Sequence, residues 1–146
     1  MDIFATTTRD RLYDVGLFLL RVTAGTFMLT HGLPKLTTLI GPDTIQFPDP
    51  FGVGAGVSLG LTVFAEVVCA FLIIIGLLTR LAAIPIIIAM AVAFFYIHMA
   101  DDFGTKEMSG LYLIIFIFIC ISGPGRFSID HLISKRRNKV NYYTTT

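Results

Sequence analysis

Charged side chains are scarce in this chain. They make up 14% of its 146 residues, where a soluble domain carries about 25%. A water-soluble globule of this size has too much surface to cover with so few charges. Cysteine is scarce too: two residues cannot build a disulfide framework, and neither sits in a CxxC or zinc-ligand spacing. Net charge is only +1 and the one basic run lies in the tail, which excludes a nucleic-acid module. The polar, low-hydrophobicity composition of disordered chains is missing, because leucine, isoleucine and phenylalanine dominate. There is no hydrolase-type nucleophile–base pair, no glycine-rich phosphate loop, no flavin or iron–sulfur motif and no internal repeat. What is present is 55% hydrophobic residues and a mean hydropathy of +0.80. These describe a small integral membrane protein of one domain.

A membrane-crossing helix needs roughly 20 apolar residues, with about 17 as the lower limit. Four stretches qualify: about 13–33, interrupted by Arg21 and His31; 57–78, with Glu66; 81–98, with Pro85 near its start; and 106–122. The last is short, so it is expected to stand upright or thin the bilayer locally. The expected fold is an all-α integral membrane four-helix bundle. The first stretch is read as retained rather than as a signal peptide. It is too long, carries Arg21 at mid-depth and is followed by His31-Gly32-Leu33-Pro34-Lys35 instead of a small-residue cleavage site.

Lysine and arginine set the orientation. With the N-terminus inside, the inner side holds Arg9, Arg11, Arg80, Arg126, Lys135, Arg136, Arg137 and Lys139, and the outer side only Lys35 and Lys106. Both termini are therefore expected to be cytoplasmic, in the cell (inner) membrane. Leu78-Thr79-Arg80 is a tight inner turn. The outer loop, 36–56, carries Pro42, Pro48, Pro50, Gly52, Gly54 and Gly56, which favour an extended, turn-rich path. Its Phe47 and Phe51 have two placements open to them, on the headgroup region or folded over the bundle as a lid. Gly123-Pro124-Gly125-Arg126 stops the fourth span, and 127–133 reads as a short interfacial helix. The run 135–139 within the basic tail 126–146 is expected to face anionic headgroups.

Charges inside spans are costly, face the bundle interior and point to function. Counted from the outer ends, Arg21 and Glu66 differ in depth by only about 4–5 Å at 1.5 Å per residue. An Arg21–Glu66 ion pair near the midplane is thus expected, either structural or functional. Thr62, Glu66, Cys69 and Ala70 make one small, polar stripe, the expected interior face of span two. At the outer end, His31 and Lys35 lie four residues apart, and they share a face if the helix continues past Pro34. His98, Asp101, Asp102, Lys106 and Glu107 gather on the same side. Together with Arg21 and Glu66 below, they suggest a polar pocket descending from the outer face, although interfacial charges can also simply meet water. A bis-histidine haem would need two histidines at equal depth on facing helices, and the single pair His31 and His98 is thin support for it. Zinc or di-iron would need Glu-x-x-His ligands, which are lacking, so no metal site is assigned. Cys69 and Cys120 have nearly matching depths, which leaves a disulfide open, but single cysteines in spans usually serve as small packing residues.

Several motifs together resemble the DoxX family of small four-span membrane proteins: Leu20-Arg21, His31-Gly32-x-x-Lys35, Ala65-Glu66, Gly76-Leu77-Leu78-Thr79-Arg80, His98, and Gly123-Pro124-Gly125-Arg126-Phe127-Ser128. They cover nearly the whole chain in order. The family is related to the membrane subunit of thiosulfate:quinone oxidoreductase, so the resemblance implies a quinone-linked redox subunit, with a lipid quinone entering between spans. On that reading His31 or His98 exchanges protons at the quinone carbonyls, and Arg21, held by Glu66, stabilises developing negative charge. Lys35 and Asp101 complete the binding site, Lys35 attracting an anionic donor. A partner subunit would be needed for electron supply, and a homo-oligomer is expected on the separate ground that four short spans make a thin bundle. The alternative is a non-catalytic accessory or assembly subunit whose buried polar cluster is structural; a transporter fits less well, since there are no repeats and no broken helices.

Overall fold

The computed structural model describes residues 10–144. Four helices are long and apolar enough to cross a membrane: α1 (Asp10–Ile40), α2 (Ala55–Ile75), α3 (Thr79–Ile97) and α4 (Phe103–Ser122). A further helix, α5 (Ile129–Thr144), follows them, and no strand occurs among the described residues. The four spans run up and down as an antiparallel bundle in chain order, with α1 against α2, α2 against α3 and α3 along α4. The expected all-α membrane bundle is the observed one. The end with the 41–54 connection is called here the loop end, and the end with α5 the terminal end.

The boundaries move from their expected places for local reasons. α1 continues through Pro34 to Ile40, seven residues beyond Leu33. A proline costs one backbone donor, and the Pro34 carbonyl is instead well used, accepting from the Thr37 and Thr38 hydroxyls at 2.7 and 3.1 Å. α4 begins at Phe103, so it spans 20 residues and is not short. The helix after the glycine–proline stop is also much longer than 127–133. Lys135 and Arg136 are exposed on it. Arg9, Arg137, Asn138 and Lys139 lie outside the residues whose side chains are described.

The core is built from small and branched residues. Ala24, Met28, Ala65, Cys69, Ala70, Ile73, Ala83, Ile86 and Phe116 are buried together. Such small residues let membrane helices approach closely. Gly25 is one contact point, because a Cβ there would come within 3.2 Å of the Ala70 carbonyl oxygen. The stripe expected to face inward on α2 does so: Glu66, Cys69 and Ala70 are buried and Thr62 partly so. The two thiols are both free. Cys69 packs in the core, whereas the Cys120 thiol reaches toward the Arg80 carbonyl at 3.7 Å, at the terminal end. Their matching depths do not bring them together.

A polar clasp closes the terminal end. Arg21 is buried and donates to the carbonyls of Pro124 and Phe127 at 2.7 and 2.6 Å. Asp130 accepts from the backbone N–H groups of Leu78 and Thr79 and from the Thr79 hydroxyl, at 2.8, 3.0 and 3.0 Å. It thereby satisfies the first donors of α3. Asp14 pairs with Arg126 at 3.1 Å. Gly76 makes the clasp possible. It ends α2 in the left-handed region (φ 72), with the Leu77 N–H returning to the Leu72 carbonyl at 2.9 Å, as in a glycine-terminated helix. A Cβ on Gly76 would strike the Arg21 guanidinium, and the Ser128 Cβ at 2.6 Å.

Gly76→Ala is therefore expected to cost more than backbone strain alone. Gly52 also has positive φ (67), but open space where a Cβ would point. Gly52→Ala should lose about 1–2 kcal/mol or less from the left-handed conformation. Gly76→Ala should lose roughly 3 kcal/mol or more, because the buried guanidinium is also pushed off its acceptors. Thermal unfolding of both variants in detergent checks this, and equal losses would mean the Arg21 clasp adds nothing.

Candidate functional site

The expected Arg21–Glu66 pair does not form. Arg21 sits beside Gly76 at the terminal end, whereas Glu66 sits beside Gly32, eleven residues further along α1 than Arg21. That is about 16 Å of helical rise. Counting depth from Leu33 placed the end of α1 too early, which made the two charges look level. Glu66 pairs with Lys35 instead: the ammonium donates to both carboxylate oxygens, at 2.5 and 2.6 Å. The Glu66 side chain is almost fully buried. Two features place this pair. Carrying α1 through Pro34 puts Lys35 over α2. Gly32 then lets the helices touch, since a Cβ there would lie 2.9 Å from the Glu66 carbonyl carbon and 2.7 Å from Val67 Cγ2.

The pair stands between two cavities. The larger, about 530 Å³, is a groove between α2 and α3. Its walls are apolar, with Leu61 and Phe64 on one side and Pro85, Ile88, Ala89 and Val92 on the other, and Lys35, Glu66 and His98 at its polar end. Leu61, Phe64 and Ile88 are also exposed on the outer surface of the bundle. Hence the groove opens sideways, where lipid tails would lie. The smaller cavity, about 170 Å³, is a chamber among α1, α3 and α4, lined by His31, Lys35, Glu66, His98, Thr105, Ser109 and Tyr112 together with Met28, Met90 and Met108. His31 meets Tyr112 edge-on, with ring centroids 5.7 Å apart.

Both spans flanking the groove widen into π-helical turns along it. One covers Phe64–Cys69 and includes Glu66. The other covers Ala93–Ile97 and ends with the His98 N–H bonded back to the Ala93 carbonyl at 2.9 Å. Such turns recur at functional sites, because the extra residue re-aims side chains. The His98 ring nitrogen Nδ1 is 2.7 Å from Asp101. With Asp101 accepting from Nδ1–H, Nε2 is left as the exchangeable position.

The 41–54 connection folds over the bundle, one of its two open placements. Phe47, Pro48, Pro50 and Phe51 roof the groove, and Phe51 rests against Tyr96 of α3 at 5.9 Å between centroids. Asp49 latches the roof to the start of α2, accepting from the Val53 and Gly54 N–H groups and the Ser58 hydroxyl at 3.1, 2.7 and 2.8 Å.

Of the residues singled out from the sequence, His31, Lys35, Glu66 and His98 come together, and Asp101 holds His98. Arg21 does not join them, and Glu107 is exposed and lines neither cavity. Sequence reasoning missed Thr105, Ser109, Tyr112 and the latch Asp49. Ser109 and Tyr112 carried a signal: they are three residues apart, so they share a face of an otherwise apolar helix. Asp49 ahead of Gly52 and Gly54 was a turn signal of the same strength.

The bundle and its charged, two-sided site define a four-span helical membrane protein with a lipid-facing groove. The DoxX family model matches residues 16–99, and the chain belongs to this family. It is 31% identical over 140 residues to an uncharacterised membrane protein of Mycobacterium tuberculosis, covering 80% of each chain. A Bacillus subtilis protein provisionally named the oxidoreductase CatD is 25% identical over 133 residues, which cover 90% of this chain and 97% of that one. The Escherichia coli inner membrane protein YqjF is 28% identical over 130 residues, covering 86% and 98%. No solved structure matches.

The latch yields a pH prediction. The Ser58 hydroxyl, and then the Gly54 and Val53 N–H groups, hold the Asp49 carboxyl below its ordinary value of 3.8. A carboxylate whose pKa is lowered by folding stabilises its loop above the ordinary value, and that stabilisation is lost as pH falls through the depressed one. The roof should thus remain latched from pH 7 to about pH 4 and release only in stronger acid. Hydrogen exchange at the Val53 and Gly54 N–H groups, which donate to Asp49, measures it. At about pH 4, Asp49→Ala should exchange there roughly tenfold faster than wild type, the factor one charge-assisted hydrogen bond commonly carries. Near pH 2 the two rates should converge.

Proposed function

We propose that this protein binds a lipid quinone in the groove between α2 and α3 and serves as the membrane subunit of a quinone-linked oxidoreductase. The observation that carries this reading is the groove itself. Its volume falls within the range of ligand sites, it is apolar along its length, and its few polar groups converge at one end. That pattern suits an amphiphile with an isoprenoid tail and a polar ring. The sideways opening suits entry from the bilayer. The provisional oxidoreductase name of the Bacillus subtilis relative supports a redox role.

A bound quinone supplies two-electron, two-proton redox chemistry. The chain's own residues bind and orient it. The Lys35 ammonium donates a hydrogen bond to a ring oxygen and stabilises negative charge developing there. His98, oriented by Asp101, exchanges a proton at Nε2. Phe47, Pro48 and Phe51 exclude water from the roof. Arg21 takes no part in this chemistry and acts as a structural clasp. The chain carries no flavin, haem or iron–sulfur motif of its own, so a partner subunit delivers the electrons. We place the loop end on the outer face of the cell's inner membrane and both termini in the cytoplasm, in accord with the lysine and arginine distribution.

Solvent extraction of the purified protein, with mass spectrometry of lipid quinones, tests the reading. Wild type should carry close to one quinone per chain. Ala89→Phe, which fills the groove from the α3 side, should reduce that at least about tenfold, as expected when a well-fitted pocket is blocked. Quinone at membrane background in the wild type would remove this function and favour an accessory or assembly subunit.

A further inference from the structure

The two cavities have opposite characters and a common wall. The groove is apolar, whereas the chamber behind it is lined by hydroxyls and imidazoles from three spans, and both are bounded by Lys35, Glu66 and His98. A chamber of about 170 Å³ with Thr105, Ser109, Tyr112 and His31 on its surface has room for several waters at about 30 Å³ each, and more than enough polar partners to hold them. His31 and Thr105 are exposed at the loop end, so the chamber reaches the surface there. The buried Glu66 carboxylate therefore has a polar chamber on one side and a lipid-accessible groove on the other.

We infer that the chamber is a water-filled vestibule through which Glu66 exchanges protons with the medium at the loop end, for delivery to the head of the groove. The inference rests on the quinone reading above. Reduction of a quinone takes up an electron pair and two protons, and the quinol carries both protons on its oxygens. The electrons come from a two-electron reductant outside the membrane. One proton passes from vestibule water to the Glu66 carboxylate, and from there to a ring oxygen, which leaves Glu66 ionised and again paired with Lys35; the other is given by His98 at Nε2 and replaced from the vestibule, which His98 also lines. The charged and titratable groups around Glu66 are Lys35 and His31 from α1, His98 with Asp101 from the end of α3, and Tyr112 from α4.

The test has two arms, both on the full chain in nanodiscs. In the first, Ser109→Cys and Ala89→Cys are each made in a Cys69→Ala, Cys120→Ser background and exposed to a membrane-impermeant, positively charged methanethiosulfonate. The chamber thiol should react at least about tenfold faster than the groove thiol. An unreactive chamber thiol would show a dry chamber and overturn the inference. In the second, the quinone retained by the protein is reduced with dithionite and followed in the ultraviolet. Dithionite gives up two electrons as it becomes two bisulfites, and the quinone takes the electrons with two protons. Glu66→Gln should keep its quinone yet be reduced about a hundredfold more slowly, within the range one proton-transfer group contributes. Ser109→Leu, which plugs the vestibule and leaves both members of the ion pair in place, should slow it likewise if Glu66→Gln does not fold. Reduction of both variants at the wild-type rate would overturn the relay. Absence of quinone from the wild type would overturn the groove reading and the relay with it, while the first arm would still decide whether the chamber is wet.

Discussion

A charge placed in hydrocarbon has to be matched within the protein, and the Lys35–Glu66 pair is where this chain meets that demand at the loop end. The pair joins α1 to α2, closes one end of the groove and forms one wall of the chamber. Burying such a pair adds little stability compared with well-packed apolar residues, while leaving one member alone is severe. Its consequence is geometric. Once Glu66 is committed to the interior, α1 must bring a cation to it. Gly32 must then be small enough to let the two backbones meet. The π-helical turns at Glu66 and before His98 belong to the same arrangement, since they widen the two spans that border the groove.

The opposite end solves the same problem differently. Arg21 is as deeply buried as Glu66, but its hydrogen bonds go to backbone carbonyls of the segment after α4, with the Asp130 carboxylate acting on it through space. Asp130 and Asp14 add their own contacts to that segment, so the stretch 123–130 is tied to α1 and to the α2–α3 turn at once. The result is a bundle clasped at one end and cavity-bearing at the other. The motif residues that identify the family divide between these ends. Arg21, Gly76 and the Gly-Pro-Gly-Arg-Phe-Ser stretch build the clasp, and His31, Gly32, Lys35, Glu66 and His98 surround the cavities. The clasp ties the helices together below the cavities, and residues at a loop end are best positioned by such a scaffold.

What could be read from the residues alone was set by local physics. Low charge, long apolar runs and the spacing of their interruptions decided that there are four membrane helices and that they form an antiparallel bundle. The hydropathy and small-residue pattern of Thr62, Glu66, Cys69 and Ala70 decided which face of α2 is inside. The clustering of His31, Lys35 and His98 at one end was also legible, because short connections force alternate helices to share their ends. Partnership was not legible. Whether Glu66 meets Arg21 or Lys35 depends on where α1 stops, and a proline that lacks one donor does not decide that; the helix carried past Pro34 shifted the register by seven residues and exchanged the partners. The roof over the groove, the clasp on Arg21 and the chamber beside Tyr112 are likewise products of contacts between segments distant in sequence. The sequence by itself determined which residues could not remain in lipid. Only the tertiary structure decided what each of them would face, since pairing depends on depth and rotation summed along whole helices, and a small local change in either displaces every contact beyond it.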